Sequence, residues 1–245
     1  MTTQADPTAP VQGTAVLACV EIGGGSLETV LLGPGPEVVR SDGLRVPDGL
    51  PLLIAVPGIV HEGRVLAASN LDWYDVDPAE ALGLDIRASV VANDAEAAAL
   101  GESALRDGAD LVFLGLGTGV GGAVVRDGVV ASNELGHGQV GFSDRPCTCT
   151  RTGCLETVAA GWALPTPVPD ERLPVIADAL ARAVEAEPLA TPDLVVLAGG
   201  LTRAYPALVP LLARALPDRT VTGTAATSTK SAAAWGLRHL YQQTA

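Results

Sequence analysis

One histidine and three cysteines fall within residues 137–154 of this 245-residue chain: His137, then Cys147, Cys149 and Cys154. One imidazole and three thiolates suit Zn²⁺, a borderline-soft ion that takes four such ligands tetrahedrally. A tetrahedron filled by the protein leaves no position for an activated water, so the expected metal is structural. Clustering this tight points to a metal rather than to small core cysteines beside a surface histidine. Carboxylates bracket the cluster, Glu134 before the histidine and Glu156 after the last cysteine. A metal clip over 134–156 would hold Glu134, His137 and Glu156 in fixed relation.

Other stretches carry a different chemistry. Leu116-Gly117-Thr118-Gly119-Val120-Gly121-Gly122 offers consecutive backbone N–H groups unobstructed by side chains, with the Thr118 hydroxyl as a further donor. Such a turn can cradle phosphate oxygens. No Gly-Lys-Ser/Thr follows, so it is not a P-loop. Asn93-Asp94 stands where a strand meets a helix. An isolated Asp there reads as an N-cap. Between two glycine turns it also fits a base that takes a proton from an attacking hydroxyl, and Asn93 could hydrogen-bond the same hydroxyl-rich ligand. Residues 195–198 form an apolar run into Gly199-Gly200, where exposed backbone would let a purine or ribose approach closely. An ordinary strand–helix connection reads equally well.

Alternating strands and helices must position these groups. Residues 15–20 read as a buried strand, followed by the turn Gly23-Gly24-Gly25 and a returning strand at 29–32. Strands follow at 52–56, stopped by Pro57-Gly58, and at 64–67 and 89–92. A helix over 95–105 starts from an Asn93 or Asp94 cap and stops at Gly108. The opening pattern then returns: a strand at 110–116, the turn at 117–119, a returning strand at 121–126 and a hairpin at Asp127-Gly128. This echo predicts two similar α/β domains, each led by a hairpin. Their expected bounds are 14–108 and 109–231, the latter carrying the metal loop 134–156. Residues 1–13 read as a loose tail, and a closing helix at 232–241 is a candidate to pack back on the first domain. Helices are expected at 174–187 and 205–216 around a strand at 194–198, with a polar loop over 220–231.

Composition narrows the function. A net charge of −13 disfavours nucleic acid and anionic membranes as partners. Aromatic residues are only 3%, too few for base-stacking platforms. No stretch reaches the ~20 apolar residues of a membrane helix, and the first residues lack the basic start of a signal peptide. Metal-type cysteines without a disulfide framework point to a reducing cytoplasm.

Taken together, Asn93-Asp94 with its alanine-rich helix, Gly117–Gly122, Glu134-x-x-His137 and Cys147-x-Cys149-x4-Cys154-x-Glu156 resemble the ROK family (repressors, open reading frames and sugar kinases), above all its bacterial glucokinases. The resemblance runs from about residue 15 to 241. It implies an actin-like, ribonuclease-H-like α/β fold of two similar domains flanking a ligand cleft. It implies an ATP-dependent transferase that phosphorylates a hexose, with glucose or a relative attacking through its 6-hydroxyl. Asp94 would be the general base; Asn93, Glu134, His137 and Glu156 would bind sugar hydroxyls, joined by Gly58 and Asn70. His137, Cys147, Cys149 and Cys154 would hold Zn²⁺. Gly23, Gly24, Gly117, Thr118 and Gly119 would receive the phosphates of Mg²⁺–ATP, and Gly199 with Gly200 would border the adenosine. Family members often form homodimers.

Several departures accompany the resemblance. The first hairpin usually reads Asp-x-Gly-Gly-Thr-Lys; here Glu21-Ile-Gly23-Gly24-Gly25-Ser26 loses the short acid, the threonine and the lysine. The stretch 32–52 is short and lacks an expected helix, and 161–194 is abbreviated and proline-rich. The glycine that usually follows the second cysteine is Thr150, a change expected to strain the metal turn. The alternative to a kinase is therefore a sugar-binding protein of the same fold with weak or no ATP turnover. A repressor is disfavoured, because few residues precede the first strand to form a helix-turn-helix.

Overall fold

The computed structural model describes residues 15–23, 26–34, 38–226 and 231–244. Gly24 and Gly25 of the first glycine turn, the expected tail 1–13 and residue 14 lie outside these described residues.

The chain opens with β1 (Leu17–Ile22), β2 (Leu27–Leu32), β3 (Val38–Asp42) and β4 (Leu52–Val56). A small antiparallel sheet follows, built of β5 (Ile59–His61), β6 (Arg64–Ala68) and β7 (Trp73–Val76). After the short helix α1 (Pro78–Ala81) come β8 (Val90–Asn93) and α2 (Asp94–Ala104). The first large sheet has the order β3-β2-β1-β4-β8. Its hairpin pairs β1–β2 and β2–β3 are antiparallel, whereas β1–β4 and β4–β8 are parallel.

The same plan then repeats. β9 (Leu111–Leu116), β10 (Val120–Arg126), β11 (Val129–Asn133), β12 (Leu194–Ala198) and β13 (Thr220–Gly223) form a sheet of order β11-β10-β9-β12-β13. Matching orders and matching strand directions make this the expected ribonuclease-H-like pair. Between β11 and β12 lie α3 (Glu156–Ala159) and α4 (Arg172–Ala186); α5 (Gly200–Ala204), α6 (Leu208–Ala215) and α7 (Ala232–Thr244) complete the chain.

Each sheet buries both faces, as parallel central strands require. Cys19, Val30 and Leu53 pack beneath α7, while Val20, Ile54 and Val56 pack toward the small sheet and α1. The second sheet packs Leu114, Leu116 and Leu197 on α4 and α6. On its other face Phe113, Val125 and Val196 meet α2, the helix shared by both sheets. α2 and α7 cross at backbone contact: a Cβ on Gly101 would lie 1.6 Å from the Ala232 carbonyl oxygen, and one on Gly236 1.8 Å from that of Ala97. Those reciprocal glycines bring the closing helix back onto the first sheet, where it also touches β1, β4 and β8.

Three expectations are corrected. The span 220–231 is not all loop, because 220–223 adds β13 in parallel to β12. The span 32–52 does lack a helix, but it supplies the unforeseen edge strand β3. The helix expected over 205–216 is confined to 208–215, with α5 as a separate short turn before it.

Candidate active site and metal centre

Parallel pairing brings the ends of β1, β4 and β8 to one edge of the first sheet. Glu21, Ala55 and Ala92 share a row, and Val56 pairs with Asn93. The chain leaves this edge at Gly58 and at Asp94. Asn93 is the N-cap of α2: its Oδ1 accepts from the N–H groups of Ala95 (2.9 Å) and Glu96 (3.1 Å). Its Nδ2 donates to the Gly58 carbonyl at 2.8 Å, so cap and loop are locked together. With the oxygen committed, the remaining Nδ2 hydrogen is what Asn93 can offer a ligand. Asn70 is exposed, two residues beyond the end of β6.

Asp94 lies one residue into α2, with Oδ1 accepting the Ala95 N–H at 2.9 Å. Burial pushes its carboxyl up to about 6; the Ala95 N–H counteracts this, and the carboxylates of Glu134 and Glu96 push it further up. A carboxylate so poised is a competent proton acceptor near neutral pH. The second hairpin abuts the same helix end, since a Cβ on Gly121 would sit 2.7 Å from that of Ala95.

Glu134, in the left-handed region at φ 61°, opens a single 3-10 turn over Leu135–His137. The turn aims the two His137 nitrogens apart. Nδ1 lies 3.4 Å from Cys147 Sγ, and Nε2 lies 3.6 Å from Glu134 Oε2. The ligand atoms of His137, Cys147, Cys149 and Cys154 all lie within 4.8 Å of one another. Around a tetrahedral Zn²⁺ with Zn–S ≈ 2.3 Å and Zn–N ≈ 2.0–2.1 Å, ligand atoms stand roughly 3.5–3.8 Å apart. The 3.4 Å His137–Cys147 and 3.6 Å Cys149–Cys154 separations fit that figure. Gln139 Nε2 donates to Cys154 Sγ at 3.3 Å from outside the set. Burial pushes the Cys149 thiol up, but hydrogen bonds from Arg151 outweigh it and bring the group down to about 6. Thr150, between ligands, takes φ +71°, the strain expected where glycine is usual.

Glu156 joins this loop to the second glycine turn. Oε1 accepts from the Val120 N–H at 3.2 Å, while Oε2 accepts from Thr148 Oγ1 at 3.1 Å and faces Cys147 Sγ at 3.5 Å. Within the turn, the Gly117 N–H is spent on the Gly119 carbonyl (2.9 Å). The carbonyls of Gly117 and Thr118 accept from Gly161 and Trp162. Among the described residues this leaves the N–H groups of Thr118 and Gly119 open to an anion.

Ser26, Gly117, Thr118, Trp162, Gly200 and Tyr205 are among the residues lining a cavity of about 820 Å³. Gly199 does not line it. That residue, at φ +100°, packs against β9, where a Cβ would meet the Leu116 carbonyl oxygen at 2.1 Å; its part is to let the two strands close up. Gly23, beside Ser26, donates to the Ser26 carbonyl at 2.8 Å. Glu21 Oε1 accepts from Ser231 Oγ, and Oε2 lies 3.6 Å from Arg40 Nη1. The sequence offered no sign of Arg40, Ser231, Thr148 or Trp162, since each acts through a contact distant in the chain or through a residue type without a motif.

The sequence pattern of the ROK family matches residues 48–172. The chain is 32% identical to a kanosamine kinase of Amycolatopsis mediterranei over 94% of its own length and 91% of that protein's. It belongs to the ROK family. A polyphosphate glucokinase of Mycobacterium tuberculosis is 30% identical over 74% of this chain and 66% of its own length. The structure of a ROK family glucokinase from Streptomyces griseus, in complex with glucose and AMPPNP, superposes with TM-score 0.71 at 20% identity, covering 93% of this chain and 99% of the other. That likeness establishes the actin-like, ribonuclease-H-like ROK fold of two α/β domains flanking a cleft. Among the described residues no helix is long and apolar enough to cross a membrane.

Proposed function

We propose that this ROK protein is an ATP-dependent sugar kinase acting on a hexose, with the 6-hydroxyl of glucose or a near relative as the attacking group. The observation that carries the reading is Asp94. It is a partly buried carboxyl raised to about 6, at a strand tip between the Gly58–Asn93 lock and the second glycine turn. In this reading Asp94 takes the hydroxyl proton as the phosphoryl group transfers. Asn93, Glu134, His137 and Glu156 orient the sugar, with Gly58 and Asn70 at its border. The N–H groups of Thr118 and Gly119 meet donor phosphates, and the 820 Å³ cavity beside Gly200 takes the nucleoside. Phosphoryl transfer needs alignment and charge neutralisation more than covalent chemistry, which suits a rigid polar cleft. Mg²⁺ would enter as the ATP complex.

Zn²⁺ would be held by His137, Cys147, Cys149 and Cys154 and would fix the loop 134–156 without touching the reacting atoms. Through Nδ1 it would also fix which His137 nitrogen, Nε2, points to the sugar side. The four free cysteines suit a reducing cytoplasm. In this reading the domains span 14–108 and 109–231, each built on one of the two repeated sheets. A binding-only protein is set aside, because relatives spanning most of this chain are sugar kinases. The test is an ADP-release assay across a hexose panel, with sugar phosphate identified in the product. No turnover on any hexose, with sugar still bound, would reverse the choice.

A further inference from the structure

A charge cluster of three residues sits at the cleft edge of the first sheet and has no role so far. Arg40 on β3 reaches along the sheet to the row formed by Asp42, Glu28, Glu21, Ala55 and Ala92. Its Nη1 lies 2.5 Å from Glu28 Oε2 and 3.6 Å from Glu21 Oε2. The first is a firm charge-assisted bond; the second is too long for one. Nε is buried with no partner, and among the described residues Nη2 makes no hydrogen bond or ion pair. The side chain keeps 29% of its surface exposed. This guanidinium is anchored at one nitrogen and has donors to spare, an arrangement that calls for a further acceptor.

Its location suggests which acceptor. Strands in a sheet stand ~4.8 Å apart, so the Glu21 backbone is about 10 Å from Ala92, with Asp94 two residues beyond. Glu21 lies at the end of the strand before Ser26, which lines the large cavity together with Gly117 and Thr118. Neither glycine turn contains a basic residue. A triphosphate reaching from the cavity to Asp94 would pass this edge with its charge met by backbone N–H groups and whatever cation stands nearby.

We propose that Arg40 is a donor-phosphate residue, its guanidinium parked on Glu28 and Glu21 and turned to the phosphate chain when ATP enters. Glu28 is the anchor and Glu21 the loose contact that yields. The inference rests on the kinase reading and adds to it a basic group from a strand outside both turns.

Calorimetric titration of the full chain with MgATP, magnesium tripolyphosphate and adenosine tests it, in wild type, Arg40→Gln and Arg40→Lys. Arg40→Gln should weaken MgATP and tripolyphosphate about ten- to a hundredfold, the range of one charge-assisted contact, and leave adenosine and hexose affinity within about twofold. Arg40→Lys, which keeps the charge and the Glu28 anchor, should lose less than Arg40→Gln. Equal weakening of adenosine and MgATP would reveal a structural role and overturn the proposal. So would unchanged MgATP affinity in Arg40→Gln. A wild type that binds hexose but no MgATP would overturn the kinase reading itself, and the assignment with it.

Discussion

The two glycine turns on either side of the cleft arise from the same hairpin plan but are anchored in opposite ways. Among the described residues the first is tied to its surroundings through side chains: Glu21 bonds Ser231 at the start of α7 and leans toward Arg40. The second is held through its backbone, with the Val120 N–H on Glu156 and the Gly117 and Thr118 carbonyls on residues 161–162. One topology therefore ties its first turn to the closing helix and its second to the metal loop. Changes in the loop 134–156 should reach the second turn through Glu156 and through the close packing of Gly136 on Val120, and the first turn should not feel them.

Asp94 lies between the turns, and its loss should be the largest effect. Asp94→Asn is expected to lower kcat by at least ~10²–10⁴-fold while hexose affinity stays within about twofold. Turnover near wild type would remove Asp94 from the reaction. The pH dependence follows from the same group. A base must be deprotonated, so kcat/KM should fall below an apparent pKa of about 6 and level off above it. Stability should move the other way. Folding raises this carboxyl above its unfolded value, so the native state holds an extra proton between about pH 4 and 6, and wild type loses stability as pH rises through that window. Asp94→Asn should lack that loss in denaturant titrations at pH 4.5 and 8.

Metal removal comes next. Structural zinc sites contribute ~10–16 kcal/mol of apparent binding energy in small domains. Cys149→Ser should release zinc by elemental analysis, lower Tm and raise the hexose KM by about tenfold or more. A variant without metal that binds hexose normally would separate the loop from the sugar site.

Glu156→Gln against Ser231→Ala sharpens the contrast between the turns. Glu156→Gln puts an amide where one carboxylate oxygen accepts from Thr148, and it weakens the other oxygen's hold on Val120. Hexose and MgATP affinities should fall together, each by about three- to tenfold, as expected for one hydrogen-bonded contact. Ser231→Ala releases Glu21 and should change MgATP affinity alone, by a similar or smaller factor. Equal effects of both variants on hexose would erase the distinction between side-chain and backbone anchoring.

The reading of residue order succeeded where local chemistry speaks. His137, Cys147, Cys149 and Cys154 cluster in sequence and in space, and the two hairpins announce themselves by glycine between apolar runs. It missed β3 and β13, and both are outermost strands. Only Val38 is buried in β3 and no residue is fully buried in β13, so neither shows the apolar alternation that marks a strand. The Glu21–Ser231 bond joins positions 210 apart, and no spacing rule reaches that far.

Thr150 is the mildest test, and it sits inside the metal turn. Its φ of +71° puts a β-branched residue in the left-handed region, between Cys149 and the approach to Cys154, with its N–H on the Cys147 carbonyl at 2.9 Å. That conformation costs an L-residue ~1–2 kcal/mol, and glycine adopts it freely. Glycine also gives the unfolded chain more freedom, which returns ~0.5–1 kcal/mol of the gain. Thr150→Gly should therefore stabilise the fold by about 0.5–1 kcal/mol, a rise in Tm of about 1–4 °C for a chain of this length. Hexose KM should stay within about twofold, because the ligand set and Glu156 are untouched. A lower Tm would mean that the threonine side chain makes contacts worth more than the strain. A large shift in KM would mean that the backbone of this turn, and not the metal alone, sets the distance from Glu134 to Glu156.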